Sequence, residues 1–205
     1  MLKTLFLPGA GGSATFWKPL AVHAGLDGVF FAWPGLGEEP SHPSINTIDD
    51  LIGLVAAEIT EPVSIIAQSM GGYVAIKLAL AFPDLVKSLV LAVTSGGVPV
   101  SDLGGSDWRS NYSKTFPNAA RWIADPVADL SEKIPSIEIP TLLLWGDADP
   151  ISPVAVGERL LSLLPNARLC ILEKADHDLA QTHLDVVSAE ITQHLNGCSM
   201  ALSCR

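Results

Sequence analysis

An α/β domain on a mostly parallel sheet is predicted by three features of this 205-residue sequence. Short apolar runs show no polar alternation, as strands covered on both faces do. Stretches of helical length and pattern lie between them. The two kinds take turns along the chain, which implies βαβ units with right-handed crossovers.

The elements follow in order. Leu2–Leu7 reads as the first buried strand and Val29–Ala32 as the second. Ile48–Ile59 reads as a helix, with Leu51, Ile52, Val55 and Ile59 on one face, led by Thr47 and the first-turn acids Asp49 and Asp50. Val63–Ala67 is the third strand. Gly71–Phe82 is nearly all apolar, as a helix pressed against a sheet would be. Leu89–Val93, Thr141–Trp145 and Arg168–Leu172 complete six strands, and Pro153–Leu164 and Thr182–Leu195 complete the helices.

One segment breaks the rhythm. From Ser95 to Pro140 the chain is rich in Gly, Pro, Ser and Asp, with Trp108, Tyr112, Phe116 and Trp122 interleaved. It is too long for an ordinary connection, so a small lid over about residues 95–138, with one or two short helices, is expected. The other reading is a decorated loop whose aromatics pack on the body. A single domain over residues 1–196 is expected, with a tail at 197–205 that has no clear pattern and is expected to be disordered.

Composition limits the partners. Hydrophobic residues make up 48% and charged residues 17%, too apolar for a disordered chain. Twelve basic against 22 acidic residues give a net charge of −10, with no basic cluster to offset it, so nucleic acid is not an expected partner. No apolar run reaches the roughly 18–20 residues that span a bilayer, and the start is too short an apolar stretch for a signal peptide. Cys170, Cys198 and Cys204 fit neither a zinc site nor a disulfide framework, and Cys170 sits in an apolar run as a small hydrophobe would. A cytoplasmic protein without metal or cofactor is expected, its oligomeric state open.

The informative segment runs from Val63 to Gly72. A buried strand passes straight into a buried helix, and the turn between them holds Ser69 in the pattern Ala67-x-Ser69-x-Gly71. A sharp strand-to-helix turn exposes a hydroxyl and strains its backbone, and it needs small residues two before and two after. The helix N-terminus behind the serine favours developing negative charge. The bland alternative is a serine that merely caps a helix.

A free hydroxyl needs a base, and a base needs an orienting acid. After Ser69, Asp147 and Asp149 follow the fifth strand, at the carboxyl edge where open α/β sheets place their sites. Both compete for the acid's role, and a turn-forming role is the alternative for either. His177 follows the sixth strand. His23 and His42 precede the serine, and His183 and His194 fall at the start and end of the last helix, where a solvated face is the simpler reading. The oxyanion of acyl transfer would take the Met70 amide as one donor and a second from the loop Leu7–Ser13. That loop lacks the spacings of a phosphate cradle, so nucleotide binding is not expected.

With these residues in place, the chain resembles the α/β-hydrolase superfamily over nearly its whole length. It is similar to compact single-domain serine esterases, including those that cleave pimeloyl-carrier-protein methyl ester. Leu7 to Gly12 resembles the family's oxyanion loop, which implies Ala10 as second donor and Gly9 and Gly11 beside the substrate. Trp33-Pro34-Gly35-Leu36-Gly37 resembles its Asp-x-Pro-Gly-x-Gly segment. Gly146 to Pro153 resembles its Gly-x-x-Asp-x-x-x-Pro acid motif, a register that selects Asp149, and Ala175-Asp176-His177 resembles its Gly-His. Pro8, Ala32 and Ala67 replace the family's common His, Asp and Gly. The resemblance implies an α/β-hydrolase fold of about six strands, the family's two leading strands being absent, with helices on both faces. Trp17, Trp108, Tyr112, Phe116 and Trp122 are the expected substrate-lining aromatics.

The expected activity is carboxylic ester hydrolysis through an acyl-enzyme on Ser69, with a small ester or acyl compound as substrate. A thioesterase or a carbon–carbon bond hydrolase or lyase would use the same triad, and a non-catalytic small-molecule binder is the alternative from another class. Haloalkane dehalogenation is disfavoured, because it wants an aspartate where Ser69 stands.

Overall fold

The computed structural model describes the backbone of residues 2–203 and the side chains of residues 2–198. Six strands form one parallel sheet in the order β2-β1-β3-β4-β5-β6. They are β1 (Lys3–Leu7), β2 (Val29–Phe30), β3 (Val63–Gln68), β4 (Val86–Ala92), β5 (Thr141–Gly146) and β6 (Ala167–Leu172). β3 and β5 are buried along their whole length, which is why their apolar runs show no alternation. β2 ends at Phe30, two residues short of the run expected from Val29–Ala32. It is an edge strand, paired with β1 alone.

The helices are α1 (Lys18–Ala24), α2 (Ile48–Ala56), α3 (Met70–Ala81), α4 (Arg109–Thr115), α5 (Val154–Leu163), α6 (Leu179–Thr182) and α7 (Leu184–Ser203). The order reverses at β1. The chain moves outward from β1 to β2 through α1, then back across β1 to β3 through α2. Right-handed crossovers therefore place α1 on one face and α2, α3 and α5 on the other. Packing agrees, since α1 rests on α7 while α2 rests on α3. The reversal opens a crevice at the carboxyl ends of β1 and β3, where the loop after β1 and the turn after β3 meet.

Two differences from the sequence reading concern helices. α1 is a short extra helix with a proline in its first turn and Gly25 in left-handed conformation as its stop. At the other end, α7 continues through residues 197–203, where a patternless tail was expected. Gly197 weakens a helix by only about 1 kcal/mol, and Cys198 just beyond it is buried. Residues 204 and 205 lie outside the described residues. Between β4 and β5 the chain forms α4 and short 3-10 turns at 121–124 and 134–136, the second anchored by buried Ile134.

Candidate active site

The turn between β3 and α3 holds Ser69 at φ 52°, ψ −122°, a left-handed conformation that costs a residue with a side chain. Backbone partners hold it there. The Ser69 N–H donates to the Ala92 carbonyl at 2.9 Å, and the Ser69 carbonyl accepts from the Gly72 N–H at 2.9 Å and from the Thr94 hydroxyl. Gly71 is required by a close approach: a Cβ there would stand 2.6 Å from the Pro8 carbonyl oxygen. At Gly71 the need for smallness comes from the Leu7 and Pro8 carbonyls at the end of β1, and Ala67 sits in register between Leu7 and Leu91. Ser69 does not cap α3 with its hydroxyl, and among the described residues the hydroxyl takes no hydrogen-bond partner.

Asp149 and His177 meet at the ends of β5 and β6. His177 Nδ1 lies 2.7 Å from Asp149 Oδ2, and the carboxylate is fully buried. Its other oxygen accepts from the Ile151 and Ser152 amides at 2.8 and 3.1 Å, so the turn after β5 fixes the acid before it meets the ring. Asp147 is exposed and accepts from the Lys174 amide at 2.6 Å, closing a turn in which Lys174 has φ 58°. His177 is partly exposed. Its carbonyl accepts from the Gln68 side-chain amide at 3.2 Å, which ties the histidine loop to the residue before Ser69. With Nδ1 engaged by the carboxylate, Nε2 is the nitrogen left for proton transfer. No direct hydrogen bond joins Ser69 Oγ and His177 Nε2 in this structure.

The remaining histidines are committed elsewhere. His23 pairs with Asp185, His42 accepts from the Ser44 amide, His183 lies 3.0 Å from the Thr182 hydroxyl, and His194 is buried on α7. The last is a departure from the solvated face expected for it.

The glycine-rich loop after β1 touches the nucleophile turn. A Cβ at Gly9 would lie 3.1 Å from Ser69 Cβ and 2.3 Å from Gln68 Oε1. Among the described residues, the amides of Ala10 and Met70 donate to no protein acceptor. Two indoles brace the loop's base: Trp17 Nε1 donates to the Leu7 carbonyl at 2.9 Å and Trp33 Nε1 to the Pro8 carbonyl at 2.8 Å.

That bracing corrects one expectation. Trp17 is 1% exposed and packs on Phe6 and Phe16, so it belongs to the core instead of lining an open surface. It is buried because its ring closes the space beside β1 while its one polar atom is satisfied by a strand-end carbonyl. Gly11 is exposed on the loop. Trp108, Tyr112 and Phe116 form a ladder with α4, their rings 5.5 and 5.1 Å apart in succession. Trp122 packs on the core from the 3-10 turn that follows, with its indole nitrogen buried and without a partner among the described residues.

Thr94 and Gln68 escape sequence reasoning, although both grip the site's backbone. Each acts through one long-range contact to a main-chain carbonyl, for which no spacing rule exists. Among the described residues no cluster of three or more His, Cys, Asp or Glu side chains could hold a metal ion, and no helix is long and apolar enough to cross a membrane.

Comparison with known proteins gives the arrangement its relatives. A family model described as "Alpha/beta hydrolase family" matches residues 4–111, and one described as "TAP-like protein" matches residues 106–201. The chain is 27% identical over 208 residues to a pimeloyl-[acyl-carrier protein] methyl ester esterase of Neisseria meningitidis serogroup C, covering 80% of this chain and 81% of that one. It is 25% identical over 244 residues to a 2-hydroxy-6-oxononadienedioate/2-hydroxy-6-oxononatrienedioate hydrolase of Burkholderia vietnamiensis, covering 92% and 83%. Among solved structures, a thermophilic esterase from Thermogutta terrifontis superimposes with a TM-score of 0.77 at 21% identity, covering 97% of this chain and 90% of that one. MenH from S. aureus superimposes with a TM-score of 0.76 at 18% identity, covering 97% and 94%. At these identities the structural likenesses speak to the fold.

Proposed function

The chain belongs to the alpha/beta hydrolase family, and on that premise we propose that it is a serine hydrolase that cleaves carboxylic esters through an acyl-enzyme on Ser69. The observation that carries this reading is the 2.7 Å contact between His177 Nδ1 and the buried Asp149 carboxylate. It leaves Nε2 as the base, on a loop tied to Gln68 beside a serine held in a strained, outward-facing turn.

The roles follow from proton balance. The Ser69 hydroxyl gives its proton to His177 Nε2 as Oγ attacks the ester carbonyl carbon. The carbonyl oxygen becomes an oxyanion, stabilised by the Met70 and Ala10 amides. Asp149 stabilises the imidazolium and holds its tautomer without taking the proton. Collapse expels the alcohol, which leaves with the proton from Nε2. Water then loses a proton to Nε2 and attacks the acyl carbon. The acid departs, and Ser69 recovers its hydroxyl. Among the described residues the Ser69 hydroxyl has no acceptor, so its bond to Nε2 forms when the site closes on substrate, as catalytic hydrogen bonds commonly do.

Labelling by a fluorophosphonate probe tests the reading: wild type labels, while Ser69→Ala and His177→Ala do not. Equal labelling of wild type and Ser69→Ala would overturn it. A second reading, carbon–carbon bond hydrolysis, is favoured by the similarity to the Burkholderia vietnamiensis hydrolase. Turnover of nitrophenyl esters of graded chain length, beside acyl thioesters and a vinylogous 1,5-diketone, separates the two.

A further inference from the structure

The phenol of Tyr112 stands where the segment between β4 and β5 meets the glycine-rich loop. Its oxygen lies 2.9 Å from the Ala10 carbonyl and 2.9 Å from the Gly37 amide. Both roles are forced. A carbonyl can only accept and an amide can only donate, so the phenol gives its proton to Ala10 and accepts from Gly37. Burial pushes the phenol's pKa above its ordinary value of 10, so it stays protonated and able to donate at working pH.

The rest of the loop has other anchors. The Leu7 and Pro8 carbonyls are held by indoles, and Gly12 is held by the Gly9 carbonyl and by the Trp33 amide. Among the described residues, the Ala10 carbonyl accepts only from Tyr112. Ala10 is flanked by Gly9 and Gly11, whose peptide planes rotate at little cost. Without the phenol, the Gly12-to-Gly9 bond still closes the turn, but among the described residues nothing anchors its central Ala10–Gly11 peptide, and Ala10, which carries the N–H, loses its tie to α4. The second loop is brought in by close approach. Gly37 has φ 57°, and a Cβ there would overlap the Gly11 carbonyl. One hydroxyl thus joins α4, the loop after β1 and the loop after β2.

We propose that Tyr112 is a positioning residue: its hydroxyl sets the direction of the Ala10 amide at the oxyanion, so that the oxyanion site is complete only while α4 is docked. This rests on the serine-hydrolase reading for its catalytic meaning, and the loop geometry can be tested apart from it.

Tyr112→Phe keeps the ring and its stacking and removes only the hydroxyl. Removal of an oxyanion donor outright costs about 10²–10³ in kcat, so loosening one should cost about tenfold. The expected result on a nitrophenyl ester is that tenfold fall in kcat, with KM within about twofold of wild type. Affinity for an alkyl boronic acid, which forms a tetrahedral adduct on the serine, should weaken by the same factor. A residue that merely contacts substrate would raise KM instead. A kcat and a boronate affinity both unchanged in Tyr112→Phe would overturn the proposal, as would a loss carried by KM. Hydrogen–deuterium exchange over residues 8–13 is read on the same variant, with faster exchange expected than in wild type. Unchanged exchange would overturn the positioning role even if the wild type failed to label with fluorophosphonate, an outcome that would sink the hydrolase reading by itself.

Discussion

The side-chain hydroxyl of Thr94 donates to the backbone carbonyl of Ser69, across 25 residues of sequence. It couples the end of β4 to the one turn whose backbone is held at φ 52°. Thr94 also accepts from the Gly96 amide at 3.0 Å, and it leaves no room for a side chain at Gly72. A left-handed conformation in a residue with a Cβ persists only where its neighbours over-determine it. Thr94 is one of those neighbours.

Thr94→Val keeps the shape and removes the donor. The Ser69 carbonyl then keeps only the Gly72 amide, and a buried hydrogen bond is lost for about 1–3 kcal/mol of stability. The nucleophile turn relaxes, so kcat on an ester should fall about tenfold or more. Urea denaturation and ester kinetics on one protein preparation check both halves.

Relief of the same strain gives the opposite stability change. Glycine adopts φ 52° freely, so Ser69→Gly should abolish fluorophosphonate labelling and raise stability by about 1 kcal/mol, the strain relieved exceeding glycine's entropy cost. For a domain of this size that is about 2–4 °C in Tm. Ser69→Ala, which retains a Cβ, should gain much less. Equal melting temperatures for the two variants would show the turn to be unstrained.

The two aspartates after β5 separate by their partners. Asp149→Asn leaves the geometry in place but presents an amide to His177 Nδ1, which favours the wrong tautomer, so kcat should fall about 10³–10⁴-fold. Asp147 only accepts from the Lys174 amide at an exposed turn, and an asparagine oxygen can do the same. Asp147→Asn should change kcat less than about twofold. Steady-state kinetics on both variants decide the assignment.

These contacts show what was legible in the chain. β3 and β5 are buried throughout, so their apolar runs marked them plainly. α1 was not visible, because seven residues carrying Lys18, Pro19 and His23 show no apolar periodicity that a loop would lack. The order of Ser69, Asp149 and His177 is readable because it follows strand ends along the chain. The grips of Thr94, Gln68, Trp17, Trp33 and Tyr112 are not, since each joins one side chain to a distant backbone atom. Their separations, from 10 to 109 residues, follow no repeat. Trp17 shows the cost of reading residue type alone. An aromatic near a site loop reads as a substrate contact, and in the fold it is a core residue that holds the loop from beneath.

A last prediction concerns pH and stability, and it comes from the far side of the sheet. His194 is buried on α7, with Cys198 Sγ 4.0 Å from its Nε2. Burial, reinforced by the Arg168 cation, lowers its pKa from 6.5 to about 4, against a smaller opposing pull from the Leu89 and Pro140 carbonyls. Above pH 6.5 the ring is neutral folded or unfolded and costs nothing. As pH falls below 6.5 the unfolded chain takes up the proton first, so the native state loses ground until the folded ring also protonates near pH 4. At pH 5 this loss amounts to about 2 kcal/mol. His194→Leu removes the titration while keeping an apolar side chain on α7. The wild-type urea midpoint should drop between pH 7.5 and pH 5 by clearly more than that of His194→Leu. Parallel midpoints over that range would show that His194 titrates alike in both states.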